Sequence, residues 1–223
     1  MTFKMPGFSP RIDLEIIKNW GDKEISNLVL EYYHYWDDAH KNRGGLQQAL
    51  GELTKLKEVI GQRKFNNFFE LGVCDAGSFW LYSLMFCTPE TKIVGLDVLY
   101  EPGAQLITQE LYNRNRNVQY VIANCNQYVR SLTDESIDLL HIDANHDYES
   151  VKEYFDNYYP KVAKNGIILI HDTNACEGSI KFRKEILEPN YDHQLLIGDW
   201  LITGQYDIDP NIPSPGISLI RKH

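Results

Sequence analysis

Residues 68–78 read FFELGVCDAGS. A short apolar run, FFEL (68–71), holds one acid, Glu70, and passes into a turn bracketed by Gly72 and Gly77. Four residues are too few for a free-standing helix and suit a strand buried on both faces. The two glycines permit a tight backbone and close approach by another group. Ser78 is placed to cap the helix that SFWLYSLMFC (78–87) would form, and a helix N-terminus carries free N–H groups. The stretch is read as strand, turn, helix, the opening unit of an α/β fold.

Similar apolar runs follow at KIVGLD (92–97), VQYVI (118–122), IDLLHI (137–142) and GIILI (166–170). Helical patterns fill the gaps, most clearly over 148–162, where Tyr148, Val151, Phe155, Tyr158, Tyr159 and Val162 share one face. Strands alternating with helices imply parallel pairing through right-handed crossovers. At the end, HQLLIGDWLITG (193–204) and GISLIRK (216–222) are separated only by the Pro-rich DIDPNIPSP, which predicts an antiparallel pair at the sheet edge. The expected fold is α/β: a Rossmann-like seven-stranded, mostly parallel sheet with helices on both faces and an antiparallel last strand. Upstream, the first 44 residues are irregular and aromatic, with Trp20 and EYYHYWDDAH (31–40). Residues 46–60 are amphipathic, with Leu46, Leu50, Leu53 and Val59/Ile60 at helical spacing and Lys and Glu between. One domain over 1–223 is expected, residues 1–60 forming a helical or lid-like extension and 65–223 the core.

The composition fits this reading. The chain has 223 residues, 43% hydrophobic and 24% charged, enough for one full-sized core. Its 22 basic against 31 acidic residues give a net charge of −9, which disfavours nucleic acid or an anionic membrane as partner. No run approaches the roughly 18–20 apolar residues of a bilayer span, and MTFKMPGFSPRID lacks a signal-peptide apolar core. Cys74, Cys87, Cys125 and Cys176 show no CxxC spacing and read as reduced thiols, so a cytoplasmic location is expected.

Open parallel sheets bind ligands outside the carboxyl ends of their strands. The turn at 72–78 is not GxGxxG, which counts against a nicotinamide-dependent oxidoreductase. Asp97 ends the second run about 20 residues on, where an acid can accept both hydroxyls of a ribose. Glu70, Gly72, Gly77 and Asp97 together favour a nucleoside-containing cofactor. Two further acids, Asp143 in HIDANH and Asp172 in LIHDTN, stand at the ends of neighbouring runs. Carboxylates facing each other need a cation or a proton between them, and a hard divalent ion takes oxygen ligands. His171 or Thr173 can add a third ligand. His146 is a candidate general base, and Asp147 the N-cap of the next helix. His141 reads as a core residue within its strand.

These features resemble class I S-adenosylmethionine-dependent methyltransferases. ELGVCDAGSFWLY, IDLLHIDANHDYESV (137–151) and KNGIILIHDT (164–173) resemble a metal-dependent group within them that holds macrolide-sugar O-methyltransferases and cephalosporin-hydroxylase-like proteins. The resemblance covers about 65–221. It implies that Gly72, Val73, Gly77 and Ser78 line the methionine end of S-adenosylmethionine, with Glu70 beneath them. Asp97 would hold the ribose, and Asn124 and Cys125 would approach the adenine. Asp143, His171 and Asp172 would hold a divalent metal, with Asp143 and His146 catalytic. His171 stands where that group often has Glu, so Mn²⁺ or Fe²⁺ joins Mg²⁺ as a candidate. The implied acceptor is a small-molecule hydroxyl, such as that of a sugar or natural product, and the implied assembly is a homo-oligomer. A non-catalytic, cofactor-binding partner subunit of the same fold is the alternative. Tyr32, Tyr33, Tyr35, Trp36 and Trp200 can form a lid over the acceptor or pack in the core, and the loops near 100–116 and 205–215 would set specificity.

Overall fold

Phe68 and Phe69 point to opposite sides of one strand and divide the molecule into two cores. The computed structural model describes residues 17–36, 46, 48–198 and 214–223. Seven strands form one sheet: β1 (Phe65–Leu71), β2 (Cys87–Asp97), β3 (Asn117–Ile122), β4 (Ile137–Ile142), β5 (Val162–Ile170), β6 (Asp192–Leu196) and β7 (Ile217–Arg221). Their spatial order is β3-β2-β1-β4-β5-β7-β6. β1 to β5 are parallel, and β7 runs antiparallel to both β5 and β6. The expected sheet is therefore present. The last strand inserts between β5 and β6, however, so β6 forms the edge. Residues 199–204 of the predicted sixth run lie outside the described residues.

On one face lie α1 (Lys23–Trp36), α2 (Leu50–Ile60), α3 (Gly77–Met85) and α4 (Pro102–Asn113), packed over Phe68, Ile93, Leu139, Leu169 and Leu219. On the other lie α5 (Cys125–Tyr128), α6 (Tyr148–Tyr158) and α7 (Glu177–Phe182), against Phe69, Val94, Leu140, Ile168 and Ile220. The period-2 alternation of each strand feeds both layers. Asp147 caps α6 as expected, its side chain accepting from Ser150 N at 3.0 Å.

α3 explains the longest apolar run. A helix apolar on all sides must be buried on all sides. α3 lies between the sheet and α1, and the indole of Trp80 donates to the Leu28 carbonyl at 3.0 Å. Among the described residues, no helix is long and apolar enough to cross a membrane. Tyr32 and Tyr33 are buried in the core. The hydroxyl of Tyr32 donates to the Asp75 carbonyl at 2.9 Å, so α1 props up the turn after β1. These two rings are structural. The side chains of Tyr35 and Trp36, and all of Trp200, lie outside the described residues.

Gly72 is where the backbone leaves least room. Its φ is +83°, and a Cβ there would stand 2.1 Å from the Asp143 carbonyl oxygen. The close passage of the turn after β1 and the turn after β4 requires glycine at this position. Gly72→Ala should lower the free energy of unfolding in urea by at least about 2 kcal/mol, from left-handed strain plus a backbone clash. A loss under about 0.5 kcal/mol would show that the two turns part freely.

Candidate active site

The sheet's hydrogen bonding continues one residue past several strands. Gly72 N donates to the Leu96 carbonyl (2.8 Å), Asp143 N to Leu71 (2.8 Å), His171 N to Ile142 (3.0 Å) and Ala123 N to Asp97 (2.8 Å). The loops therefore leave the sheet in one row. Because β4 and β5 pair with Ile142 beside Ile170, Asp143 and Asp172 emerge side by side. Cys74, Ala76 and Asp172 have φ of +47°, +63° and +57°. Left-handed backbone at residues other than glycine tends to mark functional turns.

A cleft of about 260 Å³ opens along this rim, lined by Gln48, the Gly72–Ser78 turn, Asp143, Ala144 and His146. Beneath the turn, Glu70 is fully buried on the sheet face that α3 covers. Ser78 Oγ donates to Glu70 Oε1 at 2.7 Å, and His141 Nδ1 lies 3.4 Å from Oε2. Burial raises the pKa of Glu70 despite both partners. Ser78 is thus tied down to the strand and does not cap α3. The N-cap is Ala76, in left-handed conformation. Asp97 accepts Cys74 N at 3.0 Å through Oδ2 and Leu99 N at 3.1 Å through Oδ1. Each carboxylate oxygen has a second lone pair, so capacity for ligand hydroxyls remains.

The other predicted cofactor residues sit as follows. The Val73 side chain is buried over Gly95. A Cβ on Gly77 would meet Leu46 at 2.8 Å, so the N-terminal segment packs against this glycine. Asn124 is exposed and caps α5, accepting from Gln127 N at 3.2 Å. Cys125 is buried, and burial pushes its thiol up to about 11. Neither lines the cleft.

The predicted metal residues do converge. His171 Nδ1 lies 3.5 Å from Asp143 Oδ2 and 3.5 Å from Asp172 Oδ2, with all three donors within 4.8 Å of one another. His171 is buried, yet among the described residues neither ring nitrogen has a hydrogen-bond partner. On its far side, Nε2 lies 3.8 Å from Oε2 of Glu52, which is fully buried. Burial opposes charge on His171, but Asp143 and Asp172 outweigh it and hold its pKa well above the ordinary value. Burial likewise opposes charge on Asp143, and His171 above all keeps that carboxyl below the usual range. His146 Nε2 lies 3.4 Å from Asp172 Oδ2, with over a third of its side chain open to solvent.

Two residues of this constellation escape sequence reading. Glu52 looks like one more polar residue on an amphipathic helix. Instead it is held by Gly216 N at 2.6 Å, Ala49 N at 3.2 Å and the Ser214 hydroxyl. Gln48 donates to Asp143 Oδ2 at 3.3 Å. The one available signal was Glu52's place in the first turn of a helix, where acids commonly accept a free N–H.

With Glu52 counted, three carboxylates surround one imidazole. Even a fully charged His171 leaves an excess of negative charge, and its Nδ1 faces the two aspartates. The oxygen-rich donor set with one imidazole fits a divalent cation. The strained turn, the Asp97 carboxylate and the open cleft fit a nucleoside-bearing ligand.

A family model described as a methyltransferase domain matches residues 69–173. An uncharacterised protein of Sinorhizobium fredii, y4gI, is 35% identical in a 175-residue alignment that covers 70% of this chain and 18% of that protein. The chain thus spans less than a fifth of the curated relative it matches. Cofactor-bound Rv0187 from MTB aligns over 98% of both chains, with a TM-score of 0.63 and 15% identity. An O-methyltransferase from Bacillus cereus in complex with SAH aligns over 92% of this chain and 100% of its own, with a TM-score of 0.60 and 17% identity. At such identities the structural likeness shows the fold. Residues 69–173 thus match a methyltransferase-domain model, and the chain shares the Rossmann-like fold of these two solved structures.

Glu52→Ala should destabilise the protein by about 2–3 kcal/mol or more, because it strands the buried amides of Gly216 and Ala49. Chemical denaturation measures this. A change within about 0.5 kcal/mol would mean that Glu52 organises nothing.

Proposed function

We propose that the chain is an S-adenosylmethionine-dependent, divalent-metal-dependent O-methyltransferase acting on a hydroxyl of a small molecule, a sugar or related natural product. The observation that carries this reading is His146 Nε2 standing beside the Asp143–His171–Asp172 cluster, at the mouth of the cleft that the Gly72–Ser78 turn lines. When bound, S-adenosylmethionine supplies an electrophilic methyl group, and a divalent cation makes the acceptor hydroxyl more acidic.

The chain's residues divide the remaining work. Asp97 accepts the ribose hydroxyls, and the backbone of the Gly72–Asp75 turn lies along the methionine end. Asn124, exposed beyond the cleft at the end of β3, stands toward the adenine side, with Cys125 buried beneath it. Asp143, His171 and Asp172 hold the cation, while Glu52 and Gln48 fix His171 and Asp143 from behind. His146 Nε2 takes the acceptor's proton, and Asp172 steadies the imidazolium that results. An amine acceptor would need neither the base nor the carboxylate cluster, so the site favours oxygen. A non-catalytic, cofactor-binding subunit would leave His146 without a task. The four free thiols suit a cytoplasmic protein, and the family resemblance suits a homo-oligomer, which sedimentation equilibrium would measure directly.

His146→Ala should lower methyl transfer from labelled S-adenosylmethionine to a hydroxylated acceptor by about 10²–10⁴-fold, the usual worth of a general base. Its affinity for S-adenosylhomocysteine should stay unchanged. Equal turnover in the two proteins would remove His146 from the mechanism. Tight S-adenosylhomocysteine binding with no transfer to any hydroxylated acceptor would favour the partner-subunit reading.

A further inference from the structure

Asp172 also faces a second set of donors. Its Oδ2 lies 3.4 Å from His146 Nε2, and the Cys176 thiol completes a triangle whose donor atoms all lie within 4.8 Å of one another. All three residues are half-buried, so the triangle is both sheltered and reachable. Methyl transfer as proposed uses His146 and Asp172 and has no task for Cys176.

The packing fixes this juxtaposition. Cys176 N donates to the Asp172 carbonyl at 3.1 Å, which holds the thiol one turn beyond the acid. The segment carrying His146 is pressed against the start of α7. A Cβ on Gly178 would strike the His146 carbonyl oxygen at 2.4 Å and Tyr148 N at 2.5 Å. Ser179 Oγ also reaches the His146 carbonyl, at 3.4 Å. His146 and Cys176 therefore face each other from two elements with no slack between them.

The donor chemistry differs from that of the neighbouring cluster. Asp143, His171 and Asp172 offer two carboxylates and one nitrogen. His146, Asp172 and Cys176 offer sulfur, nitrogen and oxygen. Thiolate and imidazole select thiophilic first-row ions over Mg²⁺. Three protein ligands with a fourth position left to water is a common arrangement for zinc.

We propose that His146, Asp172 and Cys176 form a second metal site, selective for a thiophilic divalent ion of the zinc class, whose occupation withdraws His146 from proton transfer. This goes beyond the methyltransferase reading, because ion binding needs neither cofactor nor acceptor. On binding, the Cys176 thiol releases its proton to solvent, and the thiolate, the His146 Nε2 lone pair and an Asp172 oxygen bond to the ion. No electron changes hands. The Nε2 lone pair given to the ion is the one that would take the acceptor's proton, so ion and proton compete for it.

Cobalt(II) added to the full chain tests the site without any substrate. Thiolate-to-cobalt charge-transfer absorption should appear in the wild type, persist in Cys74→Ser and vanish in Cys176→Ser. Serine is a favoured helix N-cap, so Cys176→Ser should fold normally, which circular dichroism checks. His146→Gln should weaken the absorption as a second, independent variant. No charge-transfer absorption in the wild type, or absorption unchanged in Cys176→Ser, would overturn the site. In turnover with Mg²⁺ in excess, zinc should inhibit the wild type and lose that inhibition in Cys176→Ser. Equal inhibition of both would overturn the coupling to His146. The cobalt result stands whether or not methyl transfer is found.

Discussion

Three carboxylates, Glu52, Asp143 and Asp172, converge on one buried imidazole, His171, and the site depends on how their charge is balanced. Carboxylates brought together away from water repel unless positive charge joins them. His171 supplies one unit at most. The fold holds the remaining charge in place by sheet geometry, because β4 and β5 run parallel in register and end at the same level. The cluster is thus a consequence of topology, and the charge balance it calls for is a consequence of the cluster.

The segments outside the strand–helix repeat serve the same constraint. α2 contributes Glu52 from one side, and the residues just before β7 supply Ser214 and Gly216 to anchor it. Gln48 reaches Asp143 from the approach to α2. α1 supports the turn after β1 through Tyr32 and the Asp75 carbonyl. The N-terminal helices are therefore part of the site's scaffold, with the same core packing as the sheet face they cover.

The sequence made the sheet legible because each strand is a short apolar run followed by polar residues, and buried parallel strands can hardly be written otherwise. That Asp97, Asp143 and Asp172 emerge together at one rim was legible for a related reason: each stands at or just past the end of its apolar run, and parallel strands end on the same side of the sheet. The insertion of β7 between β5 and β6 was not legible, since nothing in either run encodes strand order. Glu52 was hidden because an acid on an amphipathic helix reads as solvated, and its burial depends on a partner segment about 160 residues away. Ser78 misled for the opposite reason. It stands where a cap is expected, but a buried carboxylate competes for its hydroxyl and wins.

The most direct test of a cation-balanced carboxylate cluster is titration calorimetry of the metal-stripped protein with Mg²⁺ and with Mn²⁺, in the presence of S-adenosylhomocysteine. The cluster predicts a saturable metal heat that disappears in Asp143→Asn and in Asp172→Asn, while S-adenosylhomocysteine still binds. Cofactor binding with no metal heat in the wild type would contradict it, and would mean that the charge on Glu52, Asp143 and Asp172 is met by protons and by His171 alone.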